Sequence, residues 1–387
     1  MKKQYPYLKL QIEKGMLLSG LQGVQGVLDK GRSAPIFSSV LLESQTTQFS
    51  LTATDLEIGI KCTYPATVQG EGAIAVSGRK FFEIVRELPE GNVDLTVEEG
   101  KFLTIISRKS YFKITGSNKE DFPVIPIVSE EKMTSIDNAM YIGMIKKTLF
   151  AIAEAEARHV LNGGLFEIER DNEQQIRLRM VGTDGNRMAI CERIIEDTKR
   201  LLGKEEGSHQ IILPKKTLVE LRRLMDAEGE IKIGIGEKQI SFMGSGVYIT
   251  SRIIEGNFPN YKQVVPQKEG QEVRVNRSDF VSVVRRVSVM SREKTRVIII
   301  EFSSEGGVVR ANDPEIGEGR EEFELKYKGE PITIGLNYQY LLEALDSLTD
   351  KEVIIELQSG LNPCVIKQES DPNSLCIVMP MRVQEVE

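Results

Sequence analysis

Val181-Gly-Thr-Asp-Gly-Asn-Arg-Met-Ala-Ile-Cys191 is the stretch whose reading decides the fold. It has an echo on either side, Ala53-Thr-Asp-Leu-Glu-Ile-Gly-Ile-Lys-Cys62 before it and Ala311-Asn-Asp-Pro-Glu-Ile-Gly317 after it. Asp55, Asp184 and Asp313 are separated by equal intervals of 129 residues (184 less 55, 313 less 184), and three such units span the 387 residues. A small polar residue followed by Asp, between two apolar runs, describes a tight turn whose carboxylate accepts from nearby backbone N–H groups. The same turn at a fixed period describes one supersecondary unit used three times. Three equivalent copies argue for a structural role, because a catalytic carboxylate would need one position made unlike the others.

Composition sets the bounds. A chain of 387 residues is too long for one core and fits two to four domains. Hydrophobic content of 40% and charge of 28% are those of an ordinary soluble protein. No run of about 18 apolar residues predicts a transmembrane helix, and Met1-Lys-Lys-Gln-Tyr-Pro-Tyr7 lacks the apolar core of a signal peptide. Cys62, Cys191, Cys364 and Cys376 show no CxxC spacing; Cys62 and Cys191 fall in equivalent slots and read as small buried hydrophobes. A reducing cytoplasm is the expected location, with no membrane partner. His159, before a strand, and His209, in a charged loop, are the only histidines, which excludes a histidine-rich metal site. No GxxxxGK[ST], GxSxG or HExxH motif is present, and the glycines of Gly20–Gly26 sit inside a helical pattern. No catalytic residue, metal or cofactor is expected.

Each third follows one plan. An opening helix is predicted at Met16–Leu28, Met144–Ala157 and Asp279–Met290, with apolar stripes such as Leu17/Leu21/Val24/Leu28. Strands follow at Ile36–Glu43, Gly164–Arg170 and Arg296–Ser303, then a hairpin carrying the aspartate turn. A second helix is predicted at Lys80–Leu88, Lys216–Met225 and Tyr338–Leu348, the last capped by Asn337. Further short strands give roughly eight per third. The fold class is therefore α+β, three tandem copies of a two-helix, β-rich module, with boundaries at 1–128, 129–267 and 268–387. The first two modules end in Phe122-Pro-Val-Ile-Pro126 and Phe258-Pro-Asn-Tyr-Lys-Gln-Val-Val-Pro266, which favour extended connectors. Closing such an array, alone or with a second copy, removes exposed sheet edges.

The net charge of −7 argues at first sight against nucleic acid. Windows around the six helices, 15–32, 77–90, 141–158, 213–228, 276–296 and 337–350, nevertheless sum to +4, leaving −11 for the remainder. Helices lining a hole would present a positive interior within an acidic shell. In such a hole, Arg32, Arg79, Lys80, Lys215, Lys216, Arg285 and Arg286 are the basic positions that would face a duplex. No recognition-helix motif or aromatic–basic interleaving points to base readout or single strands.

The chain resembles the bacterial β sliding clamps, the processivity subunits of the replicative DNA polymerase. Leu161-Asn-Gly-Gly-Leu-Phe-Glu167, Thr183-Asp-Gly-Asn-Arg-Met188, Phe258-Pro-Asn-Tyr261, Ala311-Asn-Asp-Pro-Glu315 and Val378-Met-Pro-Met-Arg382 carry the resemblance, with Arg79-Lys-Phe-Phe82 and Leu88-Pro-Glu-Gly91. It implies a head-to-tail homodimer, a six-domain ring around duplex DNA, opened by a clamp loader. It implies that replicative and other polymerases, mismatch-repair proteins and ligase-type clients dock through short linear motifs. The docking cleft would use Leu161, Thr183, Gly185, Asn186, Arg187, Met188, Pro259, Gln263, Val264, Asn337, Tyr340, Leu361, Val378, Met379, Pro380, Met381 and Arg382. Asn186, Gln263, Pro363 and Thr295 depart from some relatives at the cleft and its rim, and Gln384–Glu387 extends past the usual end. The dimer seam would set Phe112 and Ile114 against Val289 and Met290, with Arg79, Lys80 and Arg108 facing Glu315, Glu318, Glu321 and Glu322. Two rival readings are an enzyme using the repeated aspartates and a β-rich peptide-binding scaffold that does not encircle DNA.

Overall fold

The computed structural model describes residues 8–28, 35–97, 102–170, 175–195, 209–225, 228–268, 270–292 and 294–382. They fall into two compact units, one within Met1–Ala139 and Val219–Ile253, the other within Met140–Leu218 and Ile254–Glu387.

The first unit holds a thirteen-stranded antiparallel sheet. From one edge it runs Thr134–Asp137, Glu230–Ile235, Gln239–Gly244, Val247–Arg252, Ile58–Pro65, Gln48–Thr54, Ser39–Gln45, Gly72–Ser77, Ser110–Ser117, Phe102–Ser107, Asn92–Val97, Leu8–Glu13 and Thr67–Gly70. The second unit holds an eight-stranded sheet, His209–Pro214, Gly163–Arg170, Ile176–Thr183, Arg187–Ile195, Ser374–Val378, Cys364–Lys367, Glu352–Leu357 and Gln271–Asn276. It also holds a four-stranded sheet, Gly317–Phe323, Gly306–Asp313, Val297–Ser303 and Ile332–Asn337. Strands from the middle of the chain thus lie in both units.

The α-helices among the described residues are α1 (Lys14–Val24), α2 (Gly78–Glu87), α3 (Asn138–Thr148), α4 (Lys215–Leu224), α5 (Arg277–Ser288) and α6 (Tyr338–Asp346). On α1 the predicted stripe Leu17, Leu21 and Val24 is buried. A Cβ on Gly20 would meet Tyr64 and Leu51 at under 3 Å, and one on Gly23 would meet Cys62 Sγ at 2.8 Å. These glycines let the helix approach the sheet closely. The helix stops at Val24, short of the expected Leu28, and a 3₁₀ turn, Gln25–Val27, follows. The larger correction concerns α3, expected at Met144–Ala157. It begins six residues earlier and ends at Thr148, whose hydroxyl donates to the Met144 carbonyl at 2.9 Å. Tyr141, Ile142 and Ile145 supply its buried face, whereas Ile152 is buried from a non-helical backbone, so spacing alone overran the helix end. His209 likewise opens a strand, opposite Ile168. Asn337 caps α6 as expected, its side-chain oxygen accepting from Gln339 N at 3.0 Å.

All three aspartate turns close antiparallel hairpins. Asp55 Oδ1 accepts from Glu57 N and Ile58 N at 3.0 and 2.8 Å. Asp184 Oδ1 accepts from Asn186 N and Arg187 N at 2.9 and 3.1 Å, and Asp313 Oδ1 from Glu315 N at 3.0 Å. In the first two, the preceding threonine hydroxyl donates across the turn, Thr54 to Ile58 O and Thr183 to Arg187 O. The residue after Asp is left-handed in both, Leu56 at φ 74° and Gly185 at φ 90°. Pro314 cannot adopt that conformation, so the third turn is built differently.

Leu56 pays the left-handed cost with a half-exposed side chain. A left-handed non-glycine residue costs roughly 1–2 kcal/mol, partly offset by glycine's greater chain entropy. Leu56→Gly should therefore stabilise the protein by about 0.5–1 kcal/mol in urea unfolding; a loss of stability would contradict this reading of the turn.

Candidate functional site

The second hairpin places the central cluster of expected cleft residues. Thr183 ends one strand, and its hydroxyl also accepts from Gly185 N at 3.1 Å, so the Thr-Asp-Gly-Asn turn is held by two side chains. Asn186 is exposed at the tip while Met188 is buried. The strand leaving the turn pairs with the last strand of the chain, Arg187 opposite Val378 and Met188 opposite Ile377. Beyond that strand, Met379 N donates to Asn186 O at 2.9 Å and Met381 N to Gly335 O at 2.8 Å. Two segments almost 200 residues apart in sequence are thus joined through main-chain bonds.

Arg187 locks the junction. Its Nε donates to Asp184 Oδ2 at 3.0 Å and its terminal nitrogen to Glu343 of α6. The guanidinium stacks over Tyr340 at 4.3 Å and approaches Phe150 at 5.5 Å. Arg187 is therefore mostly spent on the fold, and so is the Asn337 side chain. Leu161 and Val378 are as buried as Met188. Val264, Leu361 and Met379 are exposed at 40%, 83% and 37%. Pro259, Gln263 and Arg382 are also exposed, and Pro380 and Met381 are half-buried.

The connector carrying Pro259, Gln263 and Val264 is fixed by residues that the sequence did not single out for this role. Phe258, Tyr261 and Val265 pack into a cluster with Leu165, Val181, Met188 and Ile377. The Tyr261 hydroxyl donates to Glu167 Oε2 at 2.7 Å and accepts from Arg179 at 3.1 Å. Burial pushes the Glu167 carboxyl up, but bonds from Gln210, Tyr261 and Arg179 outweigh it and hold it below its usual value. Asp371 behaves alike: burial raises it, while Arg193, Lys147 of α3 and Ser374 draw it down to about 2. Both groups stay ionised near neutrality and tie strands together; neither has the raised value of a general acid.

The candidate DNA-facing residues are scattered among ion pairs. Arg79 and Lys80 on α2 both bond Glu83. Lys215 donates to Ile152 O at 2.8 Å, and Lys216 is exposed beside it. Arg285 reaches Asp346 at 3.4 Å, and Arg286 pairs with Glu321. Glu321, expected to face a partner's basic residues, is thus already paired within its own chain. Arg32 and Gln384–Glu387 lie outside the described residues.

Of the expected seam residues, Phe112 and Ile114 lie on Ser110–Ser117, a strand paired along its length with Phe102–Ser107 but on the other side only through Gly116 and Ser117. Val289, just past α5, is exposed at 74%; Met290 is half-buried, its side chain within 3.0 to 3.3 Å of where Cβ atoms on Gly319 and Gly317 would stand. Glu315 and Glu322 are exposed, Glu322 on the edge strand Gly317–Phe323. Among the described residues no group of three or more His, Cys, Asp and Glu side chains could hold a metal ion. No helix among them is long and apolar enough to cross a membrane.

Comparison with known proteins agrees with this architecture. Family models of the DNA polymerase III beta subunit match residues 8–126 (N-terminal domain), 135–260 (central domain) and 262–382 (C-terminal domain). The chain is 33% identical to the beta sliding clamp of Vibrio cholerae, over 97% of this chain and 100% of that protein. It is 31% identical to that of Escherichia coli K12 with the same coverage. Among solved structures, the DNA polymerase sliding clamp of Bacillus subtilis superposes with TM-score 0.90 at 25% identity, covering 98% of this chain and 100% of that one. A Pseudomonas aeruginosa sliding clamp bound to griselimycin superposes with TM-score 0.88 at 30% identity, covering 97% and 100%.

Proposed function

The chain belongs to the DNA polymerase III beta subunit family, the beta sliding clamps, and from that premise we propose that two copies close head to tail into a ring around duplex DNA. It is a processivity factor of DNA replication and not an enzyme. Each copy contributes three clamp domains, 1–128, 129–267 and 268–387, and works in the cytoplasm.

One observation carries the ring. In the first repeat, the second strand of the aspartate hairpin, Ile58–Pro65, is paired by Val247–Arg252, the last strand of the second repeat. In the second repeat, Arg187–Ile195 is paired by Ser374–Val378, the last strand of the third. In the third, the corresponding strand, Gly317–Phe323, is a sheet edge. The one last strand not used in this way is Ser110–Ser117, whose outer edge is open over most of its length. Repeating the same junction once more, between copies, pairs these two edges and leaves neither exposed. That supports a seam of Phe112 and Ile114 against Val289 and Met290, bordered by Glu315, Glu318, Glu321 and Glu322.

DNA held by encirclement needs only weak, screened contacts, and we assign these to Arg32, Arg79, Lys80, Lys215, Lys216, Arg285 and Arg286. Their acidic neighbours temper the positive potential, which suits sliding rather than gripping. Ring opening falls to a separate clamp loader. Polymerases, mismatch-repair proteins and ligase-type clients dock by short motifs at the junction of the second and third domains. There the peptide's apolar side chains meet Val264 and Met379 above a floor of Leu161, Met188 and Val378, with polar partners along Met381 and Arg382.

Val289→Asp should dissociate the dimer, costing about 3–5 kcal/mol, because it buries a charge at the seam while leaving the fold of one copy untouched. Light scattering should give twice 43.4 kDa for the unaltered protein and 43.4 kDa for the variant. Only the unaltered protein, once loaded, should stay on circular DNA and slide off when the circle is cut. A dimeric variant would displace the seam, and retention on linear DNA would overturn encirclement.

For the cleft, Met379→Ala should weaken a fluorescent peptide carrying a glutamine, a leucine and a terminal phenylalanine by roughly 1–3 kcal/mol, the scale of an interface anchor. Removing Met379–Glu387 should abolish binding and leave the dimer intact. Undiminished affinity in polarisation titrations would remove these residues from the site.

A further inference from the structure

We propose that the first unit carries a second peptide-docking pocket, beneath the connector Phe122–Ile127, which takes a short extended peptide presenting a large apolar side chain next to a carboxylate. The repeat shows where to look. In the second unit, Leu165 pairs with Val181 and Ile212, Val181 with Ile190, and Ile190 with Leu375. This apolar patch is sealed by Phe258 and Tyr261 of its connector. In the first unit the same register holds Leu41 opposite Thr52 and Ala75, Thr52 opposite Lys61, and Lys61 opposite Tyr248. Smaller and polar residues have replaced the apolar plug, and Ile125 occupies the connector position where the other carries Tyr261.

The result is a cavity of about 320 Å³, at the lower end of the size of ligand pockets. Leu41, Phe122, Ile125 and Ile127 make it mainly apolar. Thr52 lines it at 5% exposure, and its hydroxyl has no hydrogen-bond partner among the described residues. A buried orphan hydroxyl costs free energy until something bonds it, and Thr52 stands in the cavity wall. Two ammonium groups, Lys61 and Lys119, share the single carboxylate of Glu43 at 3.5 and 2.6 Å. One positive charge of that trio is left for a ligand carboxylate. At the lip, Val124 is almost fully exposed and Ile127 largely so, and among the described residues the main-chain N–H groups of Val124, Ile125 and Ile127 have no hydrogen-bond acceptor. An extended peptide satisfies all of these at once: apolar side chain in the cavity, carboxylate at Lys119, main chain along the connector.

The test is methyl NMR on the full-length dimer, titrated with the blocked tetrapeptide Glu-Leu-Phe-Asp. Saturable shifts are expected at the methyls of Leu41, Ile125 and Ile127. Thr52→Ser should keep the affinity, while Thr52→Val should weaken it about fivefold to tenfold, the loss of one neutral hydrogen bond. Lys119→Glu, a surface change that leaves the core alone, should weaken it to a similar degree. Shifts at Val264 report the junction cleft separately, so movement there alone would overturn the second pocket without touching the first. Still methyls at millimolar peptide, or affinities of Thr52→Val and Lys119→Glu equal to that of the unaltered protein, would overturn the second pocket.

Discussion

Five consecutive residue pairs between Arg187–Cys191 and Ser374–Val378 hold the second unit together. Five more, between Ile58–Cys62 and Val247–Ser251, do the same in the first. At each place a strand that would otherwise present a row of unpaired N–H and C=O groups is covered by the end of the next repeat. Everything else follows from that constraint. The middle third cannot close its own sheets, so its strands are shared between two units. The residues flanking the joined strands, Asn186 and Met379, are brought within hydrogen-bonding distance. The aspartate turn fixes where each joining strand begins, which is why a hairpin carboxylate sets a feature as distant as the chain's last strand.

Much of this is legible in the sequence. The equal spacing of Asp55, Asp184 and Asp313 marks three hairpins because an Asx turn is a local device, written in four or five adjacent residues. Cys62 and Cys191 read as buried from their place in the repeat, and both are. The Asn337 cap is local too. The end of α3 is not legible, because apolar spacing continues past it: Leu149 and Ile152 are buried, yet by a 3₁₀ turn and an extended residue. Non-local polar contacts leave no trace. Lys147 and Asp371 lie 224 residues apart and Tyr261 and Glu167 lie 94 apart, so nothing in either neighbourhood announces the partner. The same limit hides the pair of Arg286 and Glu321, which lie 35 residues apart.

The junction gives the proposed cleft a firm floor and an adaptable rim. Leu161, Met188 and Val378 are committed to the core, and Arg187 is pinned between Asp184, Glu343 and Tyr340, so the floor is set before any partner arrives. Preorganisation of this kind spares the ordering cost of binding. The exposed part is small and contains methionine, whose unbranched thioether adapts to different apolar shapes. A rigid floor with an adaptable rim favours motif recognition over a single tailored partner.

Amide hydrogen exchange across the junction tests the central claim most directly. If the paired strands are one cooperative element, the amides of Ala189 to Cys191 and of Leu375 to Ile377 should exchange together, at the slow rate of global unfolding. Exchange of the Leu375–Ile377 amides tens of times faster than that of the Ala189–Cys191 amides would show the last strand opening by itself, and the cleft would then be a transient feature rather than one built into the fold.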